Sequence, residues 1–330
     1  MKKSAIFIAG DENIYFPALV AIESIREHNP DVFDYFMCFS GDKLTPYMER
    51  TLRGKDIHFM DIRELGRYGI NEKFSAMSEG HWPVEVFYNY VIPMHLGELG
   101  YDYSYKVDYD ILCTGKYNLE EIQPTAVGIS GWSNKLNLSS PGVPRDVIDA
   151  LKSKGMISSD TVSYMNVGFI GFNNKIYAQK DMFGTFTEAY KYLHEACPQA
   201  KLLEQIAFAL LLESTSGEFI SVSEAYNHRV LATRHSDGEF NFDTKNIHFI
   251  TKFKPWRKLE KDKFRWFIFN GGNHLFLYRN IWLEFAEKVD GFEFFCMERP
   301  LTTMQMIGVN MYATQCFNEK INSLKAESQS

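Results

Sequence analysis

Two aspartates one residue apart, Asp108 and Asp110, lie in the run Tyr105-Lys106-Val107-Asp108-Tyr109-Asp110-Ile111-Leu112. Val107 and Ile111 favour extended backbone, and side chains at i and i+2 of a strand share a face. At a strand end, where the chain opens into a loop, both carboxylates can converge on one divalent cation. A hard cation held this way keeps positions open for phosphate oxygens, so the chemistry on offer is the binding of a nucleotide diphosphate. The tripeptide alone is a weak signal, equally at home at a solvated strand end, and its weight depends on its setting.

The surrounding elements read as an open α/β sheet. Ala5 to Ala9 is a nearly continuous apolar run, as a strand covered on both faces requires, and Gly10-Asp11-Glu12-Asn13 breaks it. Ala18, Ile22 and Ile25, with Glu23, Arg26 and Glu27 among them, predict a helix that stops at Asn29-Pro30. A strand from Phe33 to Phe39, a helix opened by Pro46 and running to Leu52, and a strand from Ile57 to Met60 continue the alternation. Residues 66–80 read as a mobile loop, with Glu72 to His81 as a lid that excludes water. Pro83 opens a long helix to about Leu99, kinked or broken at Pro93. The strand ending in Asp108 and Asp110 follows, then a strand from Ala126 to Ser130. The Ser-, Asn-, Gly- and Pro-rich stretch from Gly131 to Ser163 reads as a long loop with one helix near Asp146 to Lys154, and loops of that length are usually functional or disordered. Val167 to Phe172 is a strand. Helices from Tyr177 to Leu193 and Lys201 to Leu212, and short strands at Phe219 to Val222 and Ile247 to Ile250, complete the reading. Beyond Trp256 dense aromatics, among them Phe264, Trp266, Phe267, Phe269, Phe276, Tyr278, Trp282 and Phe285, mix with charges, as in a helical subdomain packed on the sheet.

Composition sets outer bounds. The chain has 330 residues, enough for one large domain or two medium ones. A net charge of −7 argues against a nucleic-acid binder. The 5 cysteines are scattered and form no C-x-x-C pair, which fits a reducing compartment rather than a disulfide scaffold or zinc site. The apolar run after Met1 is too short for a signal peptide, and no segment is long enough to span a bilayer. These features imply a cytoplasmic protein without a transmembrane segment, peripheral contact with a membrane through the C-terminal aromatics being compatible with them.

Four segments, in order, resemble one family. They are Phe7-Ile8-Ala9-Gly10-Asp11-Glu12-Asn13, Lys106-Val107-Asp108-Tyr109-Asp110-Ile111-Leu112, Met165-Asn166-Val167-Gly168-Phe169-Ile170-Gly171-Phe172-Asn173, and Ile247-His248-Phe249 followed by Lys254-Pro255-Trp256. Together with Leu203-Glu204-Gln205, at the place of a D-Q pair, they are similar to the retaining glycosyltransferases of family 8, the family of glycogenin and the bacterial lipooligosaccharide galactosyltransferases. Taken alone, His248 is an ordinary strand histidine and Lys254 a surface lysine; the ordered set gives them meaning.

The resemblance implies a GT-A nucleotide-diphospho-sugar transferase fold, a mixed sheet flanked by helices with a helical C-terminal extension. It implies a catalytic domain over residues 1–256 and a helical subdomain over residues 257–330. Asp108, Asp110 and His248 would hold Mn²⁺ (or Mg²⁺), and Lys254 would meet the phosphates. Ala9, Asp11 and Asn13 would shape the nucleoside turn, with Asp11 on the uracil edge and Asp108 also touching ribose or sugar. Gln205 would lie beside the anomeric carbon, and Asn166 would help bind sugar or acceptor. The implied activity is metal-dependent, retaining transfer of glucose or galactose from a UDP-sugar to a glycan, glycolipid or glycoprotein acceptor.

The chain departs from the family pattern at several points. Tyr88-Asn89-Tyr90 stands where the family has Y-x-R, Thr251 replaces a glycine, Glu204 replaces an aspartate, and Trp132 stands where many relatives place an acid. These changes motivate a second reading, a catalytically silent nucleotide-sugar-binding module of the same fold. A dinucleotide-dependent oxidoreductase ranks far behind, because the first turn lacks G-x-G-x-x-G.

Overall fold

The computed structural model describes residues 3–70, 84–215, 218–230, 243–250, 254–257 and 273–298, with isolated positions from 311 to 326. The expected lid (72–81), Thr251, and Phe264, Trp266, Phe267 and Phe269 lie outside the described residues, as does the side chain of Phe276.

The strands are β1 (Ser4–Ala9), β2 (Asp34–Phe39), β3 (Ile57–Asp61), β4 (Tyr103–Val107), β5 (Ile111–Cys113), β6 (Ile129–Asn137), β7 (Thr161–Asn173), β8 (Ile220–Ser221), β9 (His228–Arg229) and β10 (Asn246–His248). Seven form a sheet in the order β3-β2-β1-β4-β7-β6-β8, and β5-β10-β9 form a second, small one. Parallel pairing joins β3, β2, β1 and β4, whereas β7 runs antiparallel to β4 and β6. The large sheet is therefore mixed.

Two-residue periodicity explains how β1 anchors both layers. Ala5 and Phe7 enter one core, with Phe172 of β7 and the helices Met182–Ala196 and Leu203–Ser214. Ile6 and Ile8 enter the other, with the helix Tyr15–His28. Full burial of each such side chain contributes about 1.5–3 kcal/mol. The second core also takes Tyr278 and Trp282, both 0% exposed, from the C-terminal helix Asn273–Ala286. Capping follows the sequence: Thr45 accepts from Met48 N at 3.2 Å and Pro46 opens the helix Pro46–Gly54.

Several local expectations need correction. The helix expected from Pro83 to Leu99 is a 3-10 segment, Val84–Tyr90, followed by a short α-helix, Ile92–Glu98. Pro93 stands in that helix's first turn, where its missing N–H has no intrahelical partner to lose. The loop expected from Gly131 to Ser163 is largely strand. β6 runs on to Asn137 and pairs with β7 from Thr161, so polar residues there line a two-stranded arm. The strand expected from Ala126 to Ser130 is the start of β6, which begins at Ile129. The helix expected from Tyr177 to Leu193 breaks at Asp181 (φ 45°), a left-handed residue that caps the next helix through Gly184 N at 3.2 Å.

Candidate functional site

The two aspartates are not on a strand. β4 ends at Val107, and Asp108 to Asp110 form a turn into β5 of the second sheet. The turn is fastened by Asp108 N to Gly168 O at 2.9 Å, Ile111 N to Asp108 O at 3.2 Å, and Phe249 N to Asp110 O at 2.9 Å. Convergence of the carboxylates therefore comes from a turn where two sheets meet, not from a shared strand face.

The second sheet brings the third partner. β10 pairs with β5, with His248 opposite Ile111, so the imidazole arrives beside the turn. His248 Nε2 lies 3.5 Å from Asp108 Oδ2 and 3.3 Å from Asp110 Oδ1. One ligand atom from each of Asp108, Asp110 and His248 falls within 4.8 Å of the others, which is a geometry able to hold a metal ion.

The imidazole is set in one tautomer by its neighbours. Asn227 Nδ2 donates to Asn166 O at 3.0 Å and to Asn166 Oδ1 at 2.9 Å, which turns Asn227 Oδ1 towards His248 Nδ1 at 2.7 Å. Nδ1 then carries a hydrogen, and Nε2 is the ring nitrogen turned to the carboxylates, where it can meet a cation. Asn166 thereby positions Asn227, its Oδ1 also accepting from Gly168 N at 3.2 Å.

Two lysines flank the carboxylates. Lys254 Nζ donates to Asp110 Oδ2, and Lys106 Nζ donates to Asp108 Oδ1 and to the Val167 carbonyl. Burial works to raise the Asp110 carboxyl, but His248 and Lys254 outweigh it and hold Asp110 well below the usual carboxylate range. Burial likewise works to lower Lys254, and Asp110 outweighs it, so Lys254 is raised.

Asp11, Asn13 and Lys254 line one cleft of about 320 Å³ with Ile14, Tyr109, Trp256 and Arg257. Asp11 caps the turn after β1, its Oδ1 accepting from Asn13 N at 3.0 Å. Ala9 ends β1 just behind. Lys254 Nζ stands 4.5 Å over the Tyr109 ring, and Tyr109 and Trp256 lie with centroids 6.1 Å apart. On the other side, Gln205 is in the first turn of the helix Leu203–Ser214, its Oε1 accepting from Tyr164, which also neighbours Asn166. Glu204 is buried and accepts from Tyr90 OH. Desolvation by burial raises the Glu204 carboxyl.

Residues 136–260 match the family described as glycosyl transferase family 8. That stretch is similar to the family 8 glycosyltransferases, the family that the ordered motifs resemble. The matched stretch contains Asn166, Gln205, His248 and Lys254; Asp108 and Asp110 lie outside it and join the site through the fold. No curated protein sequence matches the chain. Among solved structures, the galactosyltransferase LgtC, in complex with donor and acceptor sugar analogues, aligns with TM-score 0.57 at 13% identity over 87% of this chain and 96% of that one. The bifunctional glycosyltransferase WbbM aligns with TM-score 0.57 at 13% identity over 90% of this chain and 52% of its own. GlyE of Streptococcus pneumoniae TIGR4 gives 0.52 at 16% identity over 90% and 63%. The chain thus spans about half to two-thirds of the latter two. At such identities the likeness speaks for fold: the GT-A architecture expected from the sequence holds. Among the described residues no helix is long and apolar enough to cross a membrane.

The sequence motifs name the three residues that the fold brings together, Asp108, Asp110 and His248, but not their neighbours Asn227, Lys106, Tyr109 and Arg257. A lysine flanked by Tyr105 and Val107 in a strand is the available signal for Lys106, since lysine is almost never fully buried without a partner. Nothing in sequence points to Asn227, whose link to His248 exists only through the second sheet.

Proposed function

We propose that the chain moves a hexose, glucose or galactose, from a UDP-sugar to a glycan, glycolipid or glycoprotein acceptor, retaining configuration, with Mn²⁺ or Mg²⁺. The observation that carries this reading is the meeting of Asp108, Asp110 and His248 beside a cleft that Lys254 shares with Asp11 and Asn13. When bound, the cation supplies Lewis-acid stabilisation of the diphosphate leaving group. Asp108, Asp110 and His248 Nε2 hold it. Lys254 and Arg257 bring positive charge to the phosphates, most effectively where water is excluded. Asp11 and Asn13 shape the nucleoside end, behind which Ala9 closes the strand, while Tyr109 and Trp256 offer aromatic faces. Asp108 also faces ribose or sugar, Gln205 attends the anomeric carbon, and Asn166 serves the sugar side while fixing Asn227.

In this reading residues 1–256 form the catalytic domain and 257–330 a helical subdomain, supported by Tyr278 and Trp282 packing into the layer of the helix Tyr15–His28. The cell interior is the proposed location, with peripheral membrane contact compatible with it.

UDP should raise the melting temperature only with Mn²⁺ or Mg²⁺ present, because the cation links protein and diphosphate. Stabilisation by UDP that EDTA leaves unchanged would count against this site. One observation favours the silent binding module: Tyr90, where the family has an arginine, is buried and bonded to Glu204, so that position brings no cation to a donor. Metal-dependent hydrolysis across a panel of nucleotide sugars separates the two, since a silent module binds a donor without breaking it.

A further inference from the structure

One charged side chain at the site is not used by the proposed reaction. Lys106 is 5% exposed, on β4 between the fully buried Tyr105 and Val107. Its Nζ reaches Asp108 Oδ1 and the Val167 carbonyl. Asp110 is treated alike, with Oδ2 taken by Lys254. In each aspartate the other oxygen faces His248 Nε2, at 3.5 Å for Asp108 Oδ2 and 3.3 Å for Asp110 Oδ1. Each carboxylate is therefore divided, one oxygen on a lysine and one at the metal corner.

Charge follows from the same contacts. Two carboxylates and two lysines cancel. A bare divalent cation meets a site with little net attraction. The lysines differ in their freedom, however. Lys254 lines the cleft and can turn to a phosphate. Lys106 is anchored in the sheet by two acceptors and does not border that cleft.

We propose that Lys106 is a positioning residue that withholds Asp108 Oδ1 from the cation and, with Lys254, keeps the carboxylate pair neutralised until a nucleotide diphosphate draws Lys254 away, so that cation and nucleotide load together. This rests on the reading of the site as one for a cation and a diphosphate. Removing Lys106 removes a like charge near the cation and frees an oxygen for it, so bare-metal affinity rises while the dependence on nucleotide shrinks.

The test is Mn²⁺ binding by the full chain, followed by electron paramagnetic resonance of free Mn²⁺, with and without UDP. Wild-type protein is expected to bind Mn²⁺ alone roughly tenfold or more weakly than with UDP. Lys106→Met should tighten bare Mn²⁺ binding by roughly tenfold and reduce the gain from UDP. Lys106→Arg should keep the wild-type pattern. A substitution that merely loosened the fold would weaken both affinities, which is the opposite signature. The proposal is overturned if wild-type protein binds Mn²⁺ equally well without UDP, a comparison that needs no variant to fold. It is also overturned if Lys106→Met leaves bare-metal affinity unchanged or lower. UDP-dependent Mn²⁺ binding that ignores Lys106 removes only this role; no Mn²⁺ binding even with UDP removes the proposed function as well.

Discussion

Gly168 and His248 are packed so closely that a Cβ on the glycine would lie 2.4 Å from both Cε1 and Nδ1 of the imidazole. The same Cβ would lie 2.9 Å from Asn227 Oδ1. Only glycine leaves room for the histidine and its orienting amide together, because each of the atoms met belongs to the ring or its direct partner.

Gly168→Ala should therefore push the imidazole off its place. Overpacking of this kind costs about 1–3 kcal/mol in a buried site. The expected result is a folded protein with Mn²⁺·UDP affinity reduced by about tenfold or more, read by calorimetric titration. Unchanged affinity would mean that His248 has no part in holding the cation.

Asn227→Ala removes the acceptor that keeps hydrogen on His248 Nδ1. It also takes one donor from Asn166 O and one from Asn166 Oδ1, leaving Gly168 N on the latter. Loss of such an outer partner typically weakens metal affinity by about 10- to 100-fold. Asn227 is fully buried, so stability should fall too, by about 1–3 kcal/mol. The deciding measurement is the metal affinity of protein that still unfolds cooperatively; an affinity equal to wild type would show that the tautomer is set by something else.

Much of this arrangement is legible in the sequence. The apolar runs of β1 and β2, the capped helix at Pro46 and the ordered motifs are local signals, and they point to the sheet and to Asp108, Asp110 and His248 as residues of one site. What they cannot carry is non-local. The turn holding Asp108 and Asp110 reads as strand because Val107 and Ile111 both favour extended backbone, yet each belongs to a different sheet. The polar arm of β6 and β7 reads as loop because its side chains from Ser133 to Asn137 are polar apart from Leu136, and only cross-strand pairing reveals it. Asn227 and Gly168 meet His248 only because β10 brings it against them, which no spacing along the chain encodes.

Tyr109 is the turn's middle residue, and its ring lines the cleft beneath Lys254. If a uracil lies there, an aromatic face contributes about 1–3 kcal/mol of stacking. Tyr109→Ala should weaken UDP binding by roughly tenfold or more in the presence of Mn²⁺, while Tyr109→Phe, which keeps the face, should bind almost as wild type. Equal loss in both variants would assign the effect to the hydroxyl rather than to stacking.

Glu204 gives a pH signature that is read on the protein without added cation. Burial, with Asp108 adding to it, raises its carboxyl, against the opposing pull of Tyr90 and Lys106. A group whose folded value is raised contributes its full share below the unfolded glutamate value and loses it as pH rises through the folded value. Each tenfold displacement of proton affinity amounts to about 1.4 kcal/mol. Glu204→Gln keeps an oxygen for the Tyr90 hydroxyl but never ionises, so the loss is absent from the variant. Urea midpoints of both proteins, compared from pH 4 to pH 8, should therefore diverge in favour of Glu204→Gln as pH rises. A difference that stays constant or closes with rising pH would mean that Glu204 is charged in the folded protein throughout, held so by Lys106.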